Sequence, residues 1–304
     1  MKKIKLNPGT LQKKSLAFGV ALLRIYLFTT LAFVIIYPIL TRISASFMSV
    51  SDVYNNSVQY IPKNFTFDNY INMWNDLKLG ESLLVTVFYT VTNALLQVMS
   101  ATLVGYGLAR FKFKLNGALF ILVLISMAIP PTLQLIPLYK IFADFNILGL
   151  SLNLLNTHWG MIILSVTATG YRCGLYILLM RQYFRGVPKE LEEAAYIDGA
   201  GTFRTFVSVM LPSAKTMMIT IGLFACVWIW LDADYAPTLM FEMPLLVNRV
   251  DMISSVLFSV PNSGTLISLY SNAAVIVIIL PLLILYLFTQ KYFVQSIERS
   301  GLVG

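Results

Sequence analysis

The chain has 304 residues, 58% of them hydrophobic and only 12% charged, with a formal net charge of +8. Soluble domains are nearer a quarter charged, so a soluble globular protein is excluded; a mean hydropathy of +0.75 with the apolar residues gathered in long runs marks a polytopic membrane protein. The basic residues lie between those runs, which argues against a nucleic-acid partner. One histidine, His158, and two cysteines, Cys173 and Cys226, leave no metal-ligand spacing.

Residues 1–16 carry Lys2, Lys3, Lys5, Lys13 and Lys14 and read as a cytosolic tail. Residues 17–43 form the first transmembrane helix, too long for a signal peptide and without a small-residue cleavage site. Residues 44–81 are polar and read as an external segment, and residues 82–290 as a core with five further spans. The second span is Leu83–Leu108, followed by Arg110, Lys112 and Lys114. The third, Asn116–Leu138, contains Pro130, Pro131 and Pro137. Proline removes a backbone donor, so this helix is expected to kink or break and to turn its freed carbonyls toward the subunit interior. Residues 153–157 make a short external turn before the fourth span, Trp159–Met180. The fifth span is Ser213–Leu231, with Trp228 and Trp230 suited to an aromatic belt, and an acidic loop follows it. The sixth span is Leu269–Phe288, and residues 291–304 form a second cytosolic tail.

The tails and alternate loops hold Arg110, Lys112, Lys114, Arg181, Arg185, Lys189, Arg204, Lys291 and Arg299 besides the five N-terminal lysines. The opposite loops hold Lys63, Lys78, Lys140 and Arg249. Positive charge stays inside, so both termini are placed in the cytosol.

Between the fourth and fifth spans, residues 188–199 read as a polar helix about 18 Å long. Pro188 suits its first turn, Glu190, Glu192 and Glu193 favour the positive end of its dipole, and Gly199 can end it in the left-handed conformation. Leu191, Ala194, Ala195 and Asp198 share one shallow side. Three roles fit: a connector on the membrane surface, a solvated linker, or a docking helix for a cytosolic protein. The acidic face disfavours anionic lipid.

Other chemistry is missing. No Gly-x-x-x-x-Gly-Lys-Ser/Thr occurs, so the chain has no P-loop of its own. No Asp or Glu lies in any apolar run, which counts against a proton-coupled carrier. Asp-rich metal motifs and a Gly-x-Ser-x-Gly elbow are absent, and no catalytic residue is assigned. Arg172 reads as the one charged residue well inside a span. It either snorkels to the headgroups or lines a polar cavity and meets an anionic or hydroxyl-rich solute. Cys173 and Cys226 read as small buried residues, not a disulfide.

Glu193-Ala194-Ala195, Asp198-Gly199-Ala200, Phe206, and Leu211-Pro212 eleven residues after Ala200 resemble the EAA loop of binding-protein-dependent ABC importer permeases. The extended form from Pro188 through Glu190-Leu191-Glu192-Glu193 is similar to the carbohydrate, maltose-type branch. Pro62, Phe65-Thr66 and Asn69-Tyr70, the prolines of the third span, and the tail from Lys291 also look like that branch. Residues 230–237 depart from it, since Trp230-Leu231-Asp232 stands where the family usually has Trp-Asn followed shortly by Pro-Leu.

The resemblance implies an all-α membrane protein of type I importer permease fold, with six transmembrane helices and a cytosolic coupling helix. It implies docking to an ATPase through Glu190, Leu191, Glu193, Ala194, Ala195, Asp198, Gly199, Ala200 and Pro212. Arg172, Pro130, Pro131 and Gln134 are the candidates for the substrate pathway. The partners implied are a second permease subunit, homologous or identical, two ATPase subunits that carry ATP and Mg, and an extracytoplasmic solute-binding protein. The chain itself would hold no cofactor. It would move a sugar or oligosaccharide, acidic ones included, across the bacterial inner membrane by alternating access. A non-sugar solute and an ATP-independent facilitator are the alternatives.

Overall fold

The computed structural model describes residues 8–147 and 149–301. Lys2, Lys3, Lys5 and the last three residues of the two expected tails lie outside the described residues. The chain is almost entirely helical. In order it forms α1 (Pro8–Ser46), α2 (Val50–Val53), α3 (Asp68–Asp76), α4 (Leu79–Arg110), α5 (Asn116–Ala128) and α6 (Pro131–Ala143). A small antiparallel hairpin follows, β1 (Phe145–Ile147) and β2 (Leu150–Leu152), with Phe145 opposite Leu152. Then come α7 (His158–Val166), α8 (Cys173–Gly186), α9 (Glu190–Ile197), α10 (Thr202–Thr205), a π-helical turn at Phe206–Met210, α11 (Leu211–Ser213) and α12 (Lys215–Trp230). The last are α13 (Tyr235–Leu239), α14 (Leu246–Asp251), α15 (Ile253–Val256) and α16 (Ser263–Gly301).

Among the described residues three helical stretches are long and apolar enough to cross a membrane: Leu16–Ser46, Leu79–Arg110 and Ser263–Tyr292. Two bent pairs bring the number to five if each is one span. The first pair is α5 with α6, turned by 104° at Ile129-Pro130, so the proline-rich run breaks rather than bends gently. None of the side chains of α5 is buried and only Phe142 of α6 is, so this pair is not enclosed by its own subunit. The second pair, residues 202–213 with α12, turns by 72° next to Pro212 and Ala214.

The fourth run differs from expectation. It is two helices, α7 and α8, separated by Thr167–Arg172. Ala168 (φ 58°) and Arg172 (φ 63°) both take the left-handed conformation there, which non-glycine residues seldom adopt. Arg172 therefore ends a helix break and is not inside a continuous span. Nor is it the one charge in an apolar run, because Arg24 and Arg42 both lie within α1.

By contacts the chain divides into two units. The first holds the residues up to Asn72 together with Leu257–Ile276. Here the segment after α1 is folded rather than a bare loop. Met48 bridges Phe65, and Phe47 stacks on Phe65 at 4.7 Å between ring centroids. The buried Asn69 donates to the carbonyls of Ser46 and Met48, and Asp52 accepts from both nitrogens of Asn64. Arg42 donates to Asn272 at 2.6 Å, a partner inside the apolar part of α16.

The second unit holds Met73–Val256 and Val277–Gly304, with α4 at its centre against α7, α8 and α12. One face of α4 is a polar stripe of Ser82, Thr86, Thr90, Asn93, Gln97 and Ser100, all buried. Helical spacing aligns these residues, and hydrogen bonds within the subunit satisfy most of them, although Thr90 Oγ1 and Gln97 Oε1 have no partner among the described residues. Ser165 of α7 donates to Asn93 at 2.8 Å, and Ser100 donates to the Ser165 carbonyl at 2.6 Å. Thr86 accepts from the Leu246 N–H at the start of α14. Further along α4 the residues become small. A β-carbon at Gly105 would lie 2.6 Å from that of Met180, so α4 and α8 meet backbone to backbone.

Candidate functional site

Helix α9 begins at Glu190, two residues after Pro188, and is about 12 Å long, shorter than the sequence suggests. Its end follows the expected chemistry. Gly199 takes φ +80°, the Ala200 N–H donates to the Ala195 carbonyl at 2.9 Å and the Gly199 N–H to Tyr196 at 3.0 Å. This is a Schellman ending, and it requires the positive φ that glycine provides.

The helix turns Glu192 and Ala195 inward and leaves Glu190, Leu191, Glu193, Ala194 and Asp198 exposed. Ala195 is thus not on the open side with Leu191 and Ala194. Leu191, Tyr196 and Ile197 are exposed apolar residues, and Phe203 and Val207 continue that surface past Ala200. Pro212 is exposed as well, on α11.

Glu192 is the attachment point. Its Oε2 lies 3.3 Å from Arg110 Nε, and its Oε1 accepts from the Tyr106 hydroxyl at 2.9 Å. Arg110 Nη2 also donates to the Val187 carbonyl at 2.6 Å, just ahead of α9. Tyr106 is held in turn by Phe111, Phe184 and Phe206, with ring centroids 4.7–5.5 Å away. A charged pair this enclosed depends on its further partners to offset desolvation: Glu192 has the Tyr106 hydroxyl and Arg110 the Val187 carbonyl, while Arg110 Nε faces the carboxylate without a hydrogen bond. Glu192 belongs to the motif, but nothing in the sequence marks it as the carboxylate that turns inward.

The second feature is a cavity of about 530 Å³ beside the break between α7 and α8. Its wall includes Pro131, Gln134 and Arg172, three of the four expected pathway residues; Pro130 is not part of it. Tyr171, Tyr235, Ser126 and Thr169 add polar groups, and Val104 and Leu108 bring α4 to the wall. The Arg172 guanidinium lies 4.5 Å from the Trp228 ring and 5.1 Å from that of Tyr171. Tyr235 donates to Gln134 Oε1 at 3.0 Å.

Asp232 sets Tyr235 in place. Its Oδ1 accepts from the N–H groups of Asp234 and Tyr235, and its Oδ2 from that of Ala236. Burial pushes this carboxyl up to about 6, against those three donors. A carboxyl raised above its unfolded value of about 4 binds its proton more tightly in the folded protein. Its contribution to stability is therefore fully present below about pH 4 and is lost as the pH rises through about 6. The thermal midpoint should fall across that window in the wild type, and Asp232→Asn should flatten the fall. Midpoints measured by calorimetry between pH 4 and pH 7 check this.

The model of one protein family, described as "Binding-protein-dependent transport system inner membrane component", matches residues 101–299. The chain belongs to this family. It is 32% identical to the melibiose/raffinose/stachyose import permease protein MelC of Bacillus subtilis, over 80% of this chain and 83% of that protein. It is 30% identical to the maltodextrin transport system permease protein MalD of Streptococcus pneumoniae, over 89% and 91% respectively. Its fold matches a chain of a bacterial ABC transporter involved in the import of the acidic polysaccharide alginate. The TM-score is 0.75 at 25% identity, covering 92% of this chain and 98% of that one. The relatives named here are transport permease proteins. The family match takes in α9 and the cavity wall from Val104 onward.

Proposed function

We propose that this permease is the membrane-spanning subunit of an ATP-driven importer of a sugar or oligosaccharide. The observation that carries the reading is α9: a short helix with an exposed apolar edge, tied to the transmembrane helix α4 by one enclosed ion pair. Relatives named for melibiose, raffinose, stachyose and maltodextrin support the sugar. In this reading α7 and α8 together make the remaining span, six in all, and both termini are cytosolic. A second permease subunit completes the pathway, two ATPase subunits hold ATP and Mg, and a solute-binding protein delivers the sugar. ATPase closure draws the two α9 helices together and opens the cavity outward. Within the motif, Leu191, Ala194 and Ile197 lie on the docking side, with Glu190, Glu193 and Asp198 at its rim and Gly199, Ala200 and Pro212 shaping the chain around it.

Ala194→Trp tests this. The side chain is exposed, so the substitution leaves the subunit folded but fills the space a partner needs. Co-purification of the ATPase should be lost, and ATP-driven uptake in vesicles should fall to background. Normal co-purification together with normal uptake would leave α9 a mere connector.

A further inference from the structure

We infer that the cavity beside the α7–α8 break binds a carboxylate-bearing sugar, with Arg172 receiving the carboxylate. This rests on the reading of the chain as a sugar importer subunit and names the substrate class for it. The cavity, at about 530 Å³, is in the range of small-molecule sites, about 300–1,000 Å³. No Asp or Glu is among its wall residues, so the charge of Arg172 is not balanced from within it. Ser126, Gln134, Thr169 and Tyr235 each already hydrogen-bond within the protein. Among the described residues the Arg172 guanidinium makes no hydrogen bond or ion pair; its contacts are the faces of Tyr171 and Trp228.

Those contacts matter for geometry. Packing on ring faces orients the guanidinium plane and leaves its N–H edge available, the arrangement that takes a carboxylate bidentately. A neutral sugar needs acceptors for its hydroxyl hydrogens as well as donors. No carboxylate stands in this wall to accept from them, and a mostly apolar lining strengthens an unpaired cation. The backbone points the same way. Arg172 is held at φ 63°, a strained position for a long side chain, and such outliers gather where a ligand is held.

The test uses the purified complex of both permease subunits with the ATPases, without nucleotide or solute-binding protein. Trigalacturonate and maltotriose are titrated calorimetrically. Trigalacturonate should bind the wild type more tightly than maltotriose does. Arg172→Asn should weaken it at least about tenfold, the scale of one charge-assisted pair, and Arg172→Lys should weaken it less. Asparagine tolerates the left-handed conformation, so this variant should keep the wild-type thermal midpoint. Maltotriose binding should be the same in all three proteins. Equal trigalacturonate affinity in Arg172→Asn, tighter binding of maltotriose, or no binding of either sugar would overturn the inference. The importer reading fails separately, if the intact system shows no ATP-driven uptake of any saccharide.

Discussion

Replacing Glu192 with alanine is expected to lower uptake at least tenfold while the permease still inserts and its spans stay folded. The Glu192 and Arg110 side chains are only 11% and 8% exposed. Removing the carboxylate strands a guanidinium in that setting, and breaking such a pair costs about 3–5 kcal/mol. Arg110 keeps the Val187 carbonyl, so the low end applies here. A loss of about 3 kcal/mol does not dissolve the membrane helices. It is more than an eight-residue helix can supply for itself, since helices that short are marginal alone. Helix α9 should come loose from α4. The expected signature is nucleotide hydrolysis no longer matched by transport. Glu192→Gln keeps the tyrosine contact and should be intermediate. Arg110→Ala combined with Glu192→Ala should be less harmful than the sum of the two, because no lone charge is left behind. Wild-type uptake in Glu192→Ala would show that something other than this pair holds the helix.

Gly105→Leu should have the largest effect on folding. Helices α4 and α8 pack more extensively than any other pair among the described residues. At Gly105 a β-carbon alone would sit 2.6 Å from Met180 Cβ and 3.0 Å from the Arg181 amide nitrogen. The obstacle includes backbone, so no rotamer change relieves it, and overpacking costs of 1–3 kcal/mol or more are expected. Leucine makes the apolar run more hydrophobic, so insertion should survive while packing fails. The measurement is the yield of monodisperse protein in detergent with its thermal midpoint. Gly107→Leu is the control. Its β-carbon would meet only Phe111, at 3.9 Å, and this variant should behave as the wild type. Comparable yields from the two variants would mean that the close approach does not limit folding.

The long helices α1, α4 and α16 were legible because hydropathy alone marks a stretch long enough to span. The break before α6 was legible because Pro130 and Pro131 remove donors at a fixed place, and the end of α9 because Gly199 suits a positive φ. The break between α7 and α8 was not. Thr167 to Arg172 contain no proline, and the left-handed turns fall on Ala168 and Arg172, residue types that carry no signal for a positive φ. The inward turn of Glu192 was hidden as well. A carboxylate reads as solvent-facing until its partner is known, and Arg110 stands on another helix altogether. Arg24 and Arg42 show the opposite error: a strongly apolar run conceals the charges within it, and Asn272, which receives Arg42, lies far along the chain. At the cavity, Arg172 stands out as a charge in an apolar run and Pro131 as a helix breaker, whereas Tyr171, Trp228 and Tyr235 read as ordinary membrane aromatics.

Helix α8 works as a strut. Its first turn stands in the cavity wall, with Arg172 immediately ahead of it, and Val187, just past its last residue, is gripped by Arg110. Fourteen residues, about 21 Å of unbroken helix, join the two ends. Alongside it α4 carries Leu108 in the cavity wall and Arg110 in the grip, only two residues apart. In the proposed importer, a load applied at α9 would reach the cavity along the one continuous helix α8.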